Sequence, residues 1–172
     1  MLYVIPATIR HARRMGRFLR EADKAEARAL RPDLDPTELL ISSIMLSDQC
    51  YTVMLDSVPV GMLGSTDLCG DLAPSLWLTG TDLLTARQFE FLRGAPEFLE
   101  RITRKHDLYQ NYAHAENEVH LQWLRWMGCE LVREVQLNGH PFVEFTYVPP
   151  RNRPRRTRHL CGLNSSGREG PG

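Results

Sequence analysis

"HAENEVHLQWLRWMGCELVREVQLNGHPFVEF", residues 114–145, carries a helix start, a helix stop and a tight turn in one continuous run. Asn117 is a helix-capping type: its side-chain oxygen can accept an N–H from the first turn, worth about 1 kcal/mol. His120, Trp123, Leu124 and Met127 then recur at three- and four-residue spacing, which puts them on one face. Gly128 supplies the left-handed residue that ends a helix and lets Cys129 begin a strand. "CELVREVQL" and "PFVEFTYV" read as strands, and Asn138-Gly139 between them is the strongest short hairpin signal in the chain.

Working backward, "DLYQNYAHA" reads as a strand, and "TARQFEFLRGAPEFLERITRKH" as a helix. Its start is marked by Thr85 and Gln88 as a capping box, and its buried stripe is Phe89, Leu92, Ala95, Leu99 and Ile102. Gly94 and Pro96 suggest a kink or break in it. "SLWLTGT" is nearly all apolar, as suits a central strand, and "TDLCGDLAP" is a polar bend. "CYTVMLDSVPVGMLGS" predicts a hairpin turning near Ser57-Val58-Pro59. "DPTELLISSIML" predicts a helix with Pro36 in its first turn. The chain opens with the strand "MLYVIPAT". A helix capped by Thr8 follows, with Ile9, Ala12, Met15, Leu19 and Ala22 on one face. Arg10, Arg13, Arg14, Arg17 and Arg20 occupy the rest of that helix, as a solvated face or a binding patch.

The order β α α β β β α β α β β predicts an α/β (α+β) layered domain over residues 1–148 with a largely antiparallel sheet. Residues 149–172, "PPRNRPRRTRHLCGLNSSGREGPG", lack apolar periodicity and predict a flexible Arg/Pro/Gly/Ser-rich tail. Lys+Arg and Asp+Glu both number 21, so net charge selects no partner. Cys50, Cys69, Cys129 and Cys161 stand apart with no metal-ligand spacing, and read as thiols of a reducing interior. The first residues are too briefly apolar for a leader or a membrane span. G-x-S-x-G, P-loop and H-E-x-x-H motifs are absent.

The element order and the segment "LYQNYAHAENEVHLQWLRWMGCELVREVQLNGHPFVEF" resemble the GNAT superfamily of acyl-CoA N-acyltransferases. More specifically, they resemble GNAT-fold proteins of short-tailed bacteriophages, described as internal virion proteins or as acetyltransferases. The shared features are an aromatic strand before the Asn, a histidine three residues after it, and a closing N-G or D-G hairpin. The resemblance covers residues 1–148 and is strongest from Leu76 to Glu144. It implies a mixed, mostly antiparallel sheet of six to seven strands with helices on both faces. "SLWLTGT" and "DLYQNYAHA" should lie parallel and splay apart at their C-terminal ends.

Active members of the superfamily hold the cofactor pyrophosphate on loop N–H groups in a [Q/R]-x-x-G-x-[G/A] motif, and the pantetheine arm on the splayed strand. The matching segment here, "LTGTDLLTARQ", keeps Gly80, lacks a second glycine and places a carboxylate at Asp82. If acetyl-CoA binds, the resemblance assigns it Leu78, Thr79, Gly80, Thr81, Thr85, Arg87 and Asn117, with the Arg87 and Gln88 N–H groups as the anion site. The family's acid, a Tyr seven residues after the capping Asn, is Leu124 here. Tyr112 is the substitute by proximity, and Glu116, Glu118, Asp67 or His120 could accept a proton. Tyr112 also reads as a packed strand aromatic, and His120 as a satisfied core histidine.

The expectation is a virion or morphogenesis protein with a degenerate acetyltransferase site, located in the virion or host cytoplasm. The absence of any cofactor is favoured over acetyl-CoA, and no metal or membrane contact is expected. The alternative is an active N-acetyltransferase acting on a host or phage substrate. Expected partners are other virion proteins, and DNA through Arg151, Arg153, Arg155, Arg156 and Arg158.

Overall fold

The computed structural model describes residues 1–67 and 74–152. Seven strands form one sheet: β1 (Leu2–Pro6), β2 (Gln49–Leu55), β3 (Val58–Thr66), β4 (Ser75–Gly80), β5 (Tyr109–His114), β6 (Glu130–Leu137) and β7 (His140–Tyr147). They lie in the order β1-β2-β3-β4-β5-β7-β6, and every neighbouring pair is antiparallel except β4 and β5. The helices are α1 (Ile9–Gly16), α2 (Glu21–Leu30), α3 (Pro36–Leu46), α4 (Asp82–Thr85), α5 (Gln88–Ile102) and α6 (Glu118–Trp126). A 3-10 turn follows at Pro150–Asn152.

Strand periodicity explains the two apolar layers. Successive strand residues point to opposite faces, so Leu63, Leu76 and Leu78 join one core with Phe91, Leu99, Trp123 and Phe145. Met62 and Trp77, one position out of phase, join Ala12, Met15, Leu19 and Leu40 instead. α5 therefore covers one face, and α1 with α3 covers the other.

The local signals around Asn117 act as read. Asn117 Oδ1 accepts the His120 N–H at 3.3 Å, and Gly128 sits at φ 87°. Asn138 and Gly139 adopt φ 51° and 78°, the left-handed pair that a two-residue hairpin turn requires. Asn138 also reaches out of the turn: its Nδ2 donates to the carbonyls of Ala29 and Leu30, the C-terminal end of α2, at 3.0 Å each.

Five readings are corrected. The predicted first helix is two helices. α1 ends at Gly16, where an added Cβ would lie 2.8 Å from Thr37 Cβ, so the glycine lets α1 seat directly on α3. Leu19 then turns away to bridge Thr81. The Thr85–Gln88 capping box does not form: Thr85 closes α4, its hydroxyl lies 3.5 Å from the Thr81 carbonyl, and Arg87 precedes α5 without a side-chain cap. Phe89 is 73% exposed, and Phe91 takes its place in the core. Val58 and Pro59 belong to β3, with the turn at Asp56-Ser57. α5 itself runs through both Gly94 and Pro96.

Candidate functional site

β4 and β5 pair at one register position, Ser75 with Gln110, and beyond it they diverge. Two more contacts span the narrow end: the Gln110 N–H donates to the Pro74 carbonyl at 2.9 Å, and Asn111 Nδ2 to the Leu76 carbonyl at 3.0 Å. Past Leu76 the strands leave a wedge, and the residues filling it come from α2 and α6.

Gly80 marks the wide end of the wedge on β4. Thr81 turns its N–H to Val60 O on β3, so by strand alternation the Gly80 N–H and C=O face away from β3, into the wedge. Both groups are occupied by the chain itself. The Gly80 N–H donates to Asp23 Oδ2 at 3.0 Å, and its carbonyl accepts the Arg20 N–H at 3.2 Å. Asp23 is buried and held bidentately by Arg20, at 2.9 and 2.7 Å. The Arg20 guanidinium lies 4.6 Å from the Trp123 ring centre, a cation–π contact away from water.

The same network crosses to β5 and α6. Asn117 Nδ2 donates to Asp23 Oδ1 at 2.9 Å and to Glu26 Oε2 at 3.1 Å, while the His114 N–H also donates to Glu26 Oε2 at 3.1 Å. His120 Nδ1 lies 3.4 Å from that oxygen. His120 is 3% exposed, and its Nε2 has no hydrogen-bond partner. Burial pulls the His120 pKa down, but the Glu26 carboxylate and Asp23 behind it outweigh burial and hold it above its ordinary value. Beside this network lies a cleft of about 230 Å³, lined by Glu26, Trp77, Leu78, Asn111, Tyr112 and His120. A smaller hollow of about 100 Å³ touches Asp23, Glu26, Leu78 and Thr79.

Tyr112 and His120 thus share one cleft. Glu116 does not: it is exposed, and its N–H meets His114 Nδ1 at 3.3 Å. Glu118 is exposed in the first turn of α6. Asp67 is bound to Lys105 at 3.1 Å and to His106. Leu124 is 1% exposed in the core, so the position of the family's acid is filled by packing. Among the cofactor candidates, Leu78, Thr79 and Gly80 border the wedge, and the loop after them bonds most of its N–H groups within the chain. Thr81 bonds to Val60 through both N–H and hydroxyl, and the N–H groups of Leu84, Thr85, Ala86 and Arg87 all donate to carbonyls of residues 81–84. The expected anion site therefore loses its Arg87 N–H. The first-turn N–H groups of α4, Asp82 and Leu83, and those of α5, beginning with Gln88, lack intrahelical acceptors, as at any helix start.

Arg151 donates to the carbonyls of Thr103, Arg104 and His106 at 2.8 to 3.0 Å, closing the end of α5. Arg153, Arg155, Arg156 and Arg158 lie outside the described residues. No helix among the described residues is long and apolar enough to cross a membrane, and no group of three or more His, Cys, Asp or Glu among them could hold a metal ion. No disulfide joins the described cysteines, Cys50 and Cys129, and burial pushes the Cys50 thiol up to about 12.

Sequence reasoning missed Arg20, Asp23 and Glu26. The available signal was faint: Asp23 and Glu26 are one helical turn apart in "EADKAEARAL", on the same face.

A parallel pair that splays within a mostly antiparallel seven-stranded sheet, with helices on both faces, is the GNAT fold. Solved structures agree with that assignment. The chain superposes on a GNAT-family acetyltransferase from Bacillus anthracis with a TM-score of 0.61 at 9% identity, covering 86% of this chain and 95% of that one. Against AAC(6')-Ib in complex with paromomycin and acetyl-CoA the TM-score is 0.63 at 16% identity, covering 91% and 97%. Against the ribosomal-protein-S18-alanine N-acetyltransferase from Escherichia coli it is 0.59 at 9% identity, covering 97% and 100%. No protein-family model and no curated protein sequence matches the chain. These likenesses establish a fold shared with acetyltransferases.

Proposed function

We propose that this chain is a GNAT-fold protein that does not turn over acetyl-CoA and serves as a virion or morphogenesis component of a short-tailed bacteriophage. One observation carries the non-catalytic part. The two Gly80 backbone groups that face the wedge are bonded to Arg20 and Asp23, so a pantetheine arm finds the strand edge taken at Gly80 and meets only the Leu78 backbone groups beside it. The Arg87 N–H spent on Leu84, the carboxylate at Asp82 and the apolar Leu124 point the same way. The virion part is supported by the resemblance of residues 108–145, and its partners are other virion proteins. The test has two arms. The chain should release no thiol from acetyl-CoA in the presence of mixed amine acceptors, and mass spectrometry should find it in purified particles of the phage that encodes it. Turnover, or absence from the particles, overturns the corresponding part.

A second reading is an acetyl-CoA-dependent N-acetyltransferase, favoured by the cleft itself. With Nδ1 turned to Glu26, His120 keeps Nε2 to take a proton from an amine, and Tyr112 lines the same cleft. Acetyl-CoA would be the cofactor, as in the AAC(6')-Ib complex. Thiol release that falls at least tenfold in His120→Gln would establish this reading.

A further inference from the structure

We infer that the exposed face of α1 binds the phosphate backbone of nucleic acid through Arg10, Arg13, Arg14 and Arg17. These positions follow the i, i+3, i+4, i+7 pattern, so at 3.6 residues per turn they fall within an arc of roughly 100°. Ala12, Met15 and Gly16 are buried on the opposite side, against α3 and β3. All four arginines are exposed. Arg20, counted with them in the sequence, is not part of the face, because it is buried on Asp23.

Among the described residues, no carboxylate lies within 4.0 Å of any of the four guanidinium groups. Arg14 donates to the Ser57 carbonyl at 3.0 Å, a neutral partner. Like charges at these spacings destabilise a helix, and the first turn contains no acidic residue to offset Arg10 at the positive end of the helix dipole. The chain as a whole is neutral, with 21 basic and 21 acidic side chains, so the stripe is a local concentration of charge set against the stability of its own helix.

Two features fit nucleic acid. Every charge is an arginine, whose forked donors match phosphate oxygens. The stripe extends about 10 Å along the helix at 1.5 Å per residue. A DNA strand places a phosphate about every 3.4 Å of axis, so four phosphates span the same length. Contact with phosphates alone implies binding without sequence preference.

The test is fluorescence anisotropy of the full chain with a labelled mixed-sequence DNA duplex across a salt series. Wild type should bind with an affinity that falls steeply with salt. Arg10→Gln, Arg13→Gln and Arg17→Gln together should weaken binding at least tenfold at 0.1 M salt and lower the salt slope by about 2.7, or about 0.9 for each arginine–phosphate pair removed. The matching three Arg→Lys changes should restore most of the affinity. Because repulsion is relieved, the glutamine variant should melt no lower than wild type. If it fails to fold, each single glutamine change should still lower the slope by about 0.9. An unchanged slope and affinity, or loss of polyglutamate binding with DNA binding intact, overturns the inference.

Discussion

Asp23→Ala should be among the most damaging single changes in the domain, for a reason specific to the wedge between β4 and β5. Arg20 and Asp23 are 5% and 6% exposed. Removing the carboxylate leaves the guanidinium charge buried, a situation that costs about 3–5 kcal/mol. The Gly80 N–H and one Asn117 N–H also lose their acceptor. For a domain whose total stability is on the order of 5–15 kcal/mol, this takes a large share. At roughly 2–4 °C per kcal/mol, the melting midpoint should fall by about 6–20 °C. Urea denaturation followed by far-UV circular dichroism measures the loss directly, with an unchanged slope as the sign that both states keep their compactness. A companion variant separates the buried-charge argument from simple packing. Arg20→Met with Asp23→Leu removes both charges, keeps apolar volume over Trp123, and should recover most of the loss. If Asp23→Ala costs less than about 1 kcal/mol, or if the double variant is no better than the single, the buried-pair reasoning fails.

Other perturbations should read out different parts of the fold. The His120 pKa is higher in the folded state than its ordinary value, so its pairing with Glu26 stabilises fully below that ordinary value. The contribution is lost as pH rises through the folded pKa. Melting midpoints from pH 5 to 9 should therefore decline across that window, and His120→Gln should remove this component of the decline; an identical profile in the variant would exclude it. Gly16→Ala drives a methyl group into Thr37, 2.7 Å from its Cγ2, and should cost about 1–3 kcal/mol in denaturant melts. Asn138→Ala loses the two bonds to the end of α2 and must still adopt φ 51°. A loss of about 1–2 kcal/mol is expected, and Asn138→Gly should recover the backbone part.

What the sequence disclosed follows from how far each signal reaches. The Asn117 cap, the Gly128 stop and the Asn138-Gly139 turn are each set by a few adjacent residues, and all three form as read. The parallel, splayed pair was carried by family resemblance. The break after Gly16 was hidden because the periodicity of Ile9, Ala12, Met15 and Leu19 continues through it. What decides the break is Thr37 on another helix and Thr81 just past the end of β4. The Thr85–Gln88 box failed for a similar reason: Gln88 Oε1 accepts the Trp123 indole N–H at 3.2 Å, so a tertiary partner takes the side chain that the local pattern assigned to a cap. The wedge network is the extreme case. Asp23 meets Gly80 across 57 positions and Asn117 across 94, and no spacing rule within one helix reports on such pairings. Asp67 was legible as a carboxylate in a polar bend, but its partners, Lys105 and His106, come from the far end of α5.

Isothermal calorimetry of the full chain with acetyl-CoA tests the central claim most directly. With the Gly80 edge held by Arg20 and Asp23, binding should be about millimolar or weaker, and the titration should show no saturable heat. Saturable binding with a Kd of about a micromolar or tighter would contradict the claim, since it would show that closing the edge at Gly80 does not keep the cofactor from the wedge.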